Sequence, residues 1–370
     1  MKLSNYSQGR DNNFNLIRIV AALAVLVTHS FALTVGSGSA EPFKSTLGMT
    51  MGTIAVDIFF ITSGFLVTSS LLKRQSIIEF IWARVLRIFP ALLVMLLITV
   101  FVLGVFLTSL PILIYLSLPE TYVYLVKCTT LITGVTYRLP GVFDNNPYKG
   151  IVNGSLWTMP YEICMYAMLV TVWFALRITP KLKLVLFKIV VVTFAFVAAS
   201  YLFAEHLYFN SESHFARLFY MFFIGAAFYV LRNYIILSRY LFWFFVIGLS
   251  VTTGDKNVFF VAYVFAVVYI LFYIAYKPSG FIRRYNRLGD YSYGVYIYAF
   301  PVQQAVAAFI PNVSIQQMIL LSSSVTLILA VLSWHILEKR CISLKTNYIG
   351  YTRRLTAFIN ESRKPNQPKW

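Results

Sequence analysis

The feature that most constrains this chain is a regular succession of apolar runs about 20 residues long, the length a helix needs to cross the hydrocarbon core of a bilayer at ~1.5 Å per residue. The runs fall at 14–34, 54–72, 90–109, 156–176, 184–203, 215–231, 240–254, 257–276, 293–310 and 316–337. Loop-forming residues separate them, such as Gly36-Ser37-Gly38, the polar segment 205–213, and Pro311-Asn312. A soluble globule carries about a quarter charged residues; here 12% are charged and 59% are hydrophobic. A soluble enzyme, a disordered chain and a collagen-like chain are excluded. The pattern predicts an all-α, polytopic membrane protein of about ten transmembrane helices. The segment 110–155, broken by Pro111, Pro119, Pro140 and Pro147, is predicted as one long outer loop that does not span, with a partly buried or re-entrant helix near 121–135. The first run is too long for a signal-peptide core and has no clean small-residue cleavage site, so it is expected to be a retained span.

The net charge of +18 would suit a nucleic-acid partner, but the basic residues lie between apolar runs and form no single stripe, so no nucleic acid is expected. Their distribution sets orientation instead. With the N-terminus in the cytoplasm, 25 of the 31 lysines and arginines fall on the inner side and 6 on the outer side, as the positive-inside rule requires. Both termini are therefore expected to be cytoplasmic. The organisation is read as a membrane domain over 1–340 and a basic cytoplasmic tail over 341–370 that rests on anionic membrane lipids. Cys128, Cys164 and Cys341 have neither the spacing of a metal knuckle nor that of a redox pair. They predict no disulfide, and no metal site is expected.

Ionisable side chains inside apolar spans are costly and mark function. Arg18 and His29 lie eleven residues apart on one face of the first span, about 16–17 Å along its axis. Asp57 and Glu162 each sit one or two turns into a span that enters from the outside, at a depth similar to that of His29. Arg84 and Arg87 are i and i+3 at the inner start of the third span, a forked pair suited to phosphate. A His and two carboxylates toward the outer leaflet, with three arginines at the opposite end, suggest a reaction path across the membrane. His206 and His214 are expected to be solvated in an outer loop, and His335 to be packed or interfacial.

Several stretches then resemble one family. They are Asn15-Leu16-Ile17-Arg18 through His29, Val56-Asp57-Ile58-Phe59-Phe60 through Ser63-Gly64-Phe65, Arg84-Val85-Leu86-Arg87-Ile88-Phe89-Pro90, Asn153-Gly154-Ser155-Leu156-Trp157 through Glu162, Leu288-Gly289-Asp290-Tyr291-Ser292, and Ser333-Trp334 through Glu338-Lys339. In this order they resemble bacterial integral-membrane acyltransferases of the acyltransferase 3 type, which O-acylate surface polysaccharides, and the likeness covers nearly the whole chain. Two departures stand out: Glu338-Lys339 is followed by Arg340 where proline is usual, and Tyr296-Ile297-Tyr298 stands where a Trp-His pair is often found.

The resemblance implies a membrane O-acyltransferase in the bacterial plasma (inner) membrane. It would move an acyl group, acetyl by family default, from cytoplasmic acyl-CoA to a hydroxyl of a polysaccharide or lipid-linked glycan at an outlet facing the outside or periplasm. Acyl-CoA is a co-substrate, and no tightly bound cofactor is implied. Arg18, Arg84 and Arg87 would hold the CoA phosphates. His29 would act as general base or carry the acyl group, and Asp57 or Glu162 would orient its imidazole. Asn153, Ser155 and Trp157 would line the sugar entrance. The competing reading is a carrier or flippase for a polar or lipid-linked glycan that uses the same buried charges as a pathway; no matching Gly/Pro-broken halves favour it.

Overall fold

The computed structural model describes residues 1–9, 11–209 and 213–362. Arg10 and the last part of the basic tail, 363–370, lie outside the described residues. Among the described residues the chain is helical, with two isolated β-bridges and no strand.

Ten principal helices follow the ten apolar runs. They are α1 (Phe14–Val35), α2 (Met51–Arg74), α3 (Ile77–Leu107), α4 (Gly154–Ile178), α5 (Lys183–Tyr208), α6 (His214–Val230), α7 (Arg239–Gly254), α8 (Lys256–Tyr276), α9 (Ser292–Phe309) and α10 (Ile315–Ser333). Seven of them, α1–α5, α8 and α10 with its continuation, are long and apolar enough to cross a membrane. The chain is a multi-pass membrane protein. α6 and α7 are shorter apolar helices. α9 is the most enclosed: fourteen of its 18 residues are buried, among them Tyr293, Tyr296, Tyr298, Gln303 and Gln304. Tyr293, Tyr296, Gln303 and Gln304 each hydrogen-bond inside the protein, which lets so polar a helix lie within the bundle.

Side-chain caps start the helices where the sequence changes character. Thr50 accepts from Thr53 N–H at the head of α2, Ser76 from Glu79 N–H at α3, and Asp255 from Asn257 and Val258 at α8. Ser314 and Gln317 form a reciprocal capping box at α10. α3 begins well before the apolar run that announced it, and it carries Pro90 inside and a π-helical turn at Thr99–Gly104. In the 110–155 segment a short helix, Ile112–Ser117, precedes the longer Pro119–Thr130, which starts slightly earlier than expected and buries Tyr124 and Cys128. The 131–153 stretch is irregular and strapped to α9: Asn146 Nδ2 donates to Gln304 Oε1 at 2.7 Å, and Gln304 Nε2 donates to the carbonyls of Tyr148 and Ile151.

Both ends of the described chain meet one face of the bundle. Leu3 N–H donates to the Ile235 carbonyl, and the final helix α11 (Lys345–Ser362) packs on the start of α3, with Trp82 Nε1 donating to Thr352. We call this the basic face, and the end carrying the 131–153 loop the far face.

The tightest helix pair is α2 with α6, where Gly64 and Gly225 let the backbones touch. A Cβ on Gly64 would lie 1.9 Å from the Phe222 carbonyl oxygen, and one on Gly225 would lie 2.1 Å from that of Ile61. Close approach through small residues is the usual source of helix association in lipid, where the hydrophobic effect contributes little. Gly64→Ala and Gly225→Ala should each destabilise the purified protein by about 1–3 kcal/mol, read as a lower thermal midpoint by fluorescence-detected size exclusion. Gly248→Ala, where a Cβ meets open space, should leave the midpoint unchanged.

Candidate active site

The three arginines singled out in the sequence converge on one cavity at the basic half of the bundle. Arg18 of α1, Arg84 and Arg87 of α3, Ser63 of α2, Glu162 and Tyr166 of α4, and Tyr293 and Tyr296 of α9 all line it, around a void of about 100 Å³. Arg18 and Arg87 share one oxygen of Asp290, at 2.5 and 2.6 Å, and Arg87 also reaches Glu338 at 2.9 Å. Ser292 donates to the other Asp290 oxygen and Ser333 to Glu338. Burial alone would raise the Asp290 carboxyl, which lies in the loop before α9, but the two guanidinium groups hold it down at about 2. Arg84 differs from its neighbours. It makes no ion pair among the described residues, its Nε is enclosed without a hydrogen-bond partner, and its guanidinium lies over the rings of Phe80 and Tyr166 at 5.9 and 5.7 Å.

His29 lies further along α1, toward the far face. Its ring meets the Phe300 ring edge-on at 5.1 Å between centroids, and its Nδ1 is enclosed without a hydrogen-bond partner. One turn earlier α1 is clamped to α9, where Gln303 Nε2 donates to the Leu26 carbonyl at 2.8 Å and to Ser30 Oγ at 2.7 Å.

The two carboxylates expected beside His29 are engaged elsewhere. Asp57 is fully buried between α2, α6 and α8, accepting from Tyr263 Oη at 2.9 Å and facing Arg217 Nε at 3.3 Å. Glu162 turns into the arginine cavity, where Ser63 Oγ donates to it at 3.3 Å and Tyr166 Oη forms a very short hydrogen bond. The expected shared depth with His29 therefore fails for Glu162, which lines the same cavity as Arg18, Arg84 and Arg87; the neighbours each carboxylate meets are set by which helices α2 and α4 pack against.

The expected sugar entrance is also displaced. Asn153 and Ser155 are 0% and 1% exposed. Asn153 Nδ2 donates to the Ile297 carbonyl, its Oδ1 accepts from Ser155 N–H, and the Ser155 carbonyl accepts from Tyr296 Oη. This turn is buried against α9 because Gly154 has no side chain: a Cβ there would lie 2.6 Å from the Phe300 ring. Trp157 is half-buried and packs on the rings of Tyr161 and His214. His214 is thus a packing partner of Trp157, and His206, expected to be solvated, stacks on Phe260 at 4.2 Å. His335, expected to be packed or interfacial, is exposed, its Nε2 3.2 Å from Tyr291 Oη. Sequence reasoning passed over Phe300, Gln303 and Gln304, although two consecutive amides in an apolar run were a visible signal.

The acyltransferase domain model matches residues 11–337, a stretch that holds every element of the cavity and His29. The chain belongs to this family. It is 30% identical to the O-acetyl transferase of Shigella phage Sf6, over 90% of this chain and 97% of that one. It is 28% identical to Nodulation protein 10 of Rhizobium leguminosarum bv. viciae, over 95% and 98%. No solved structure matches. The protein is a membrane-embedded O-acyltransferase.

The Asp290 network yields a stability prediction. Asp290→Asn removes the anion shared by Arg18 and Arg87 and should cost about 3 kcal/mol, the low end for breaking a buried ion pair because both partners keep some solvent contact. A depressed carboxyl contributes fully above its unfolded value of ~3.9 and loses that contribution as pH falls toward ~2. The difference in unfolding free energy between wild type and Asp290→Asn should therefore stay constant from pH 5 to 8 and shrink as the pH is lowered below 4.

Proposed function

We propose that this enzyme transfers acetyl from acetyl-CoA, bound at the basic face in the cytoplasm, to a hydroxyl of a surface or exported polysaccharide on the far side of the bacterial plasma membrane. The observation that carries the reading is the convergence of Arg18, Arg84 and Arg87 on one cavity at the basic half, with His29 about 16–17 Å further along α1. The name of the Shigella phage Sf6 relative supports acetyl as the group, and the inner-side excess of basic residues supports the orientation. Arg84, which makes no ion pair among the described residues, is the guanidinium an incoming phosphate would pair with at least cost. Arg18 and Arg87 already share Asp290, so they frame the site and raise the local potential.

A pantetheine arm lying between the arginines and the imidazole would bring the thioester to His29. As general base, His29 takes the proton of the sugar hydroxyl while that oxygen attacks the thioester carbonyl. The C–S bond breaks, the ester C–O bond forms, and the CoA thiolate receives the proton from the imidazolium. As acyl carrier, the imidazole would attack first and the hydroxyl second. In either route the ring is positioned by Phe300 and by the Gln303 clamp. Asp57 holds α2, α6 and α8 together, and Glu162 belongs to the path of the arm.

Two outcomes test this reading. Cells lacking the endogenous gene should show alkali-labile acetyl on purified surface polysaccharide when given wild type and none when given His29→Ala at equal membrane abundance; no ester with wild type refutes it, and altered glycan export without an ester would favour a carrier. In isolated membranes Arg84→Ala should raise KM for acetyl-CoA at least tenfold, consistent with loss of ~1.5–3 kcal/mol from a charge-assisted contact, with a smaller effect on kcat.

A further inference from the structure

A second, larger cavity opens at the far face, and nothing in the foregoing uses it. It holds about 570 Å³, within the ~300–1,000 Å³ typical of small-molecule sites. α1 contributes Thr34, the end of α3 contributes Phe106, the loop contributes Phe143, Asp144 and Asn145, and the turn after α9 contributes Asn312. We propose that this cavity is the acceptor subsite, binding a sugar ring of the glycan next to the one being acylated. This inference rests on the reading that the chain acylates a glycan, and it replaces the 153–157 turn as the place where sugar is held.

Position is the first argument. The two helices that enclose His29 run directly into the cavity wall. Thr34 is five residues beyond His29 on α1, about 7.5 Å, and Ala307 of the lining is seven beyond Phe300 on α9, about 10.5 Å. A chain whose hydroxyl lies at the imidazole would place a neighbouring ring there. The ring of Tyr148, in the loop strapped down by Gln304, meets Phe300 edge-on at 6.5 Å, so the loop that walls the cavity also packs on the ring beside His29.

Chemistry is the second argument. The lining holds one carboxylate, three asparagines and hydroxyls, and no lysine or arginine. That set suits a neutral, hydroxyl-rich ligand and would repel a phosphate. Asp144 and Asn145 are exposed and present their polar side chains for hydroxyls. Phe106 is 79% exposed at the rim and offers an aromatic face for the C–H side of a pyranose.

The cavity is also preformed. Phe143 and Asn312 both adopt left-handed backbone, at φ 61° and 56°, a conformation that costs a non-glycine residue about 1–3 kcal/mol and tends to concentrate at functional sites. The loop is pinned to α1, since a Cβ on Gly36 would lie 2.7 Å from the Pro147 carbonyl oxygen. It is pinned to α3 by the Thr108 hydroxyl on the Pro140 carbonyl.

The test uses the full chain in lipid nanodiscs. The probe is a set of oligosaccharides cut from the producing cell's own surface polysaccharide and freed of esters with alkali. Wild type should bind them by calorimetry. Phe106→Ala, Asp144→Ala and Asn145→Ala, all at exposed positions, should bind at least tenfold more weakly. KM for the oligosaccharide should rise to match, while KM for acetyl-CoA moves less than twofold. Lys149→Ala, exposed but outside the lining, is the control. Wild-type binding and turnover in all three cavity variants, or no binding by wild type, overturns the subsite. Wild type that binds the fragments in this cavity but never acetylates them leaves the subsite standing and refutes the acetyl-transfer reading.

Discussion

The structure turns on one buried electrostatic knot: Asp290 receiving Arg18 and Arg87, and Arg87 reaching on to Glu338. Its members come from α1, α3, the loop before α9 and the turn after α10, residues separated by up to 320 positions in the chain. Each charge alone would be prohibitive in a low-dielectric interior, so each is tolerable only when the others are in place. The knot therefore couples the helix that carries His29 to the helix that carries Arg84. It also explains how three arginines can line one cavity, since two carboxylates offset two of the cations and leave Arg84 as the guanidinium without an ion pair among the described residues.

A second set of contacts transmits that anchoring toward the far face. Gln303 grips the α1 backbone beside His29, Phe300 abuts the imidazole, and Gly154 allows the 153–155 turn to press on the same Phe300 ring. The imidazole thus meets an aromatic edge, while the amide fixes the α1 backbone beside it and the glycine lets the 153–155 turn press on the same aromatic ring, with no carboxylate against the imidazole among the described contacts. The Asp57–Arg217–Tyr263 cluster and the Gly64–Gly225 contact form a separate brace between α2, α6 and α8. One brace positions the chemistry, and the other keeps the scaffold closed around it.

Much of this was legible in the sequence. The apolar runs located all ten principal helices, because the length of a membrane-compatible helix is imposed by the bilayer and leaves its mark residue by residue. The arginine cavity was foreshadowed by Arg18, Arg84 and Arg87, whose position near one end follows from counting along each run. His29 and Asp57 were likewise visible as titratable groups in apolar surroundings. α9 was read as one more span, although its tyrosines and paired glutamines signalled a helix shielded by the others.

By itself, then, the sequence determined the all-helical membrane class, the positions of the apolar helices and the family, since these depend on composition and on spacing within single segments. Only the tertiary structure decided which polar groups meet. It sent Asp57 to Arg217 instead of His29, turned Glu162 into the arginine cavity, buried Asn153 and Ser155, and opened a polar cavity beyond His29 at the far face. The physical reason is that an apolar run is a property of one helix, whereas the neighbours a side chain meets inside the bundle are fixed by packing between helices far apart in the chain, which no local pattern records.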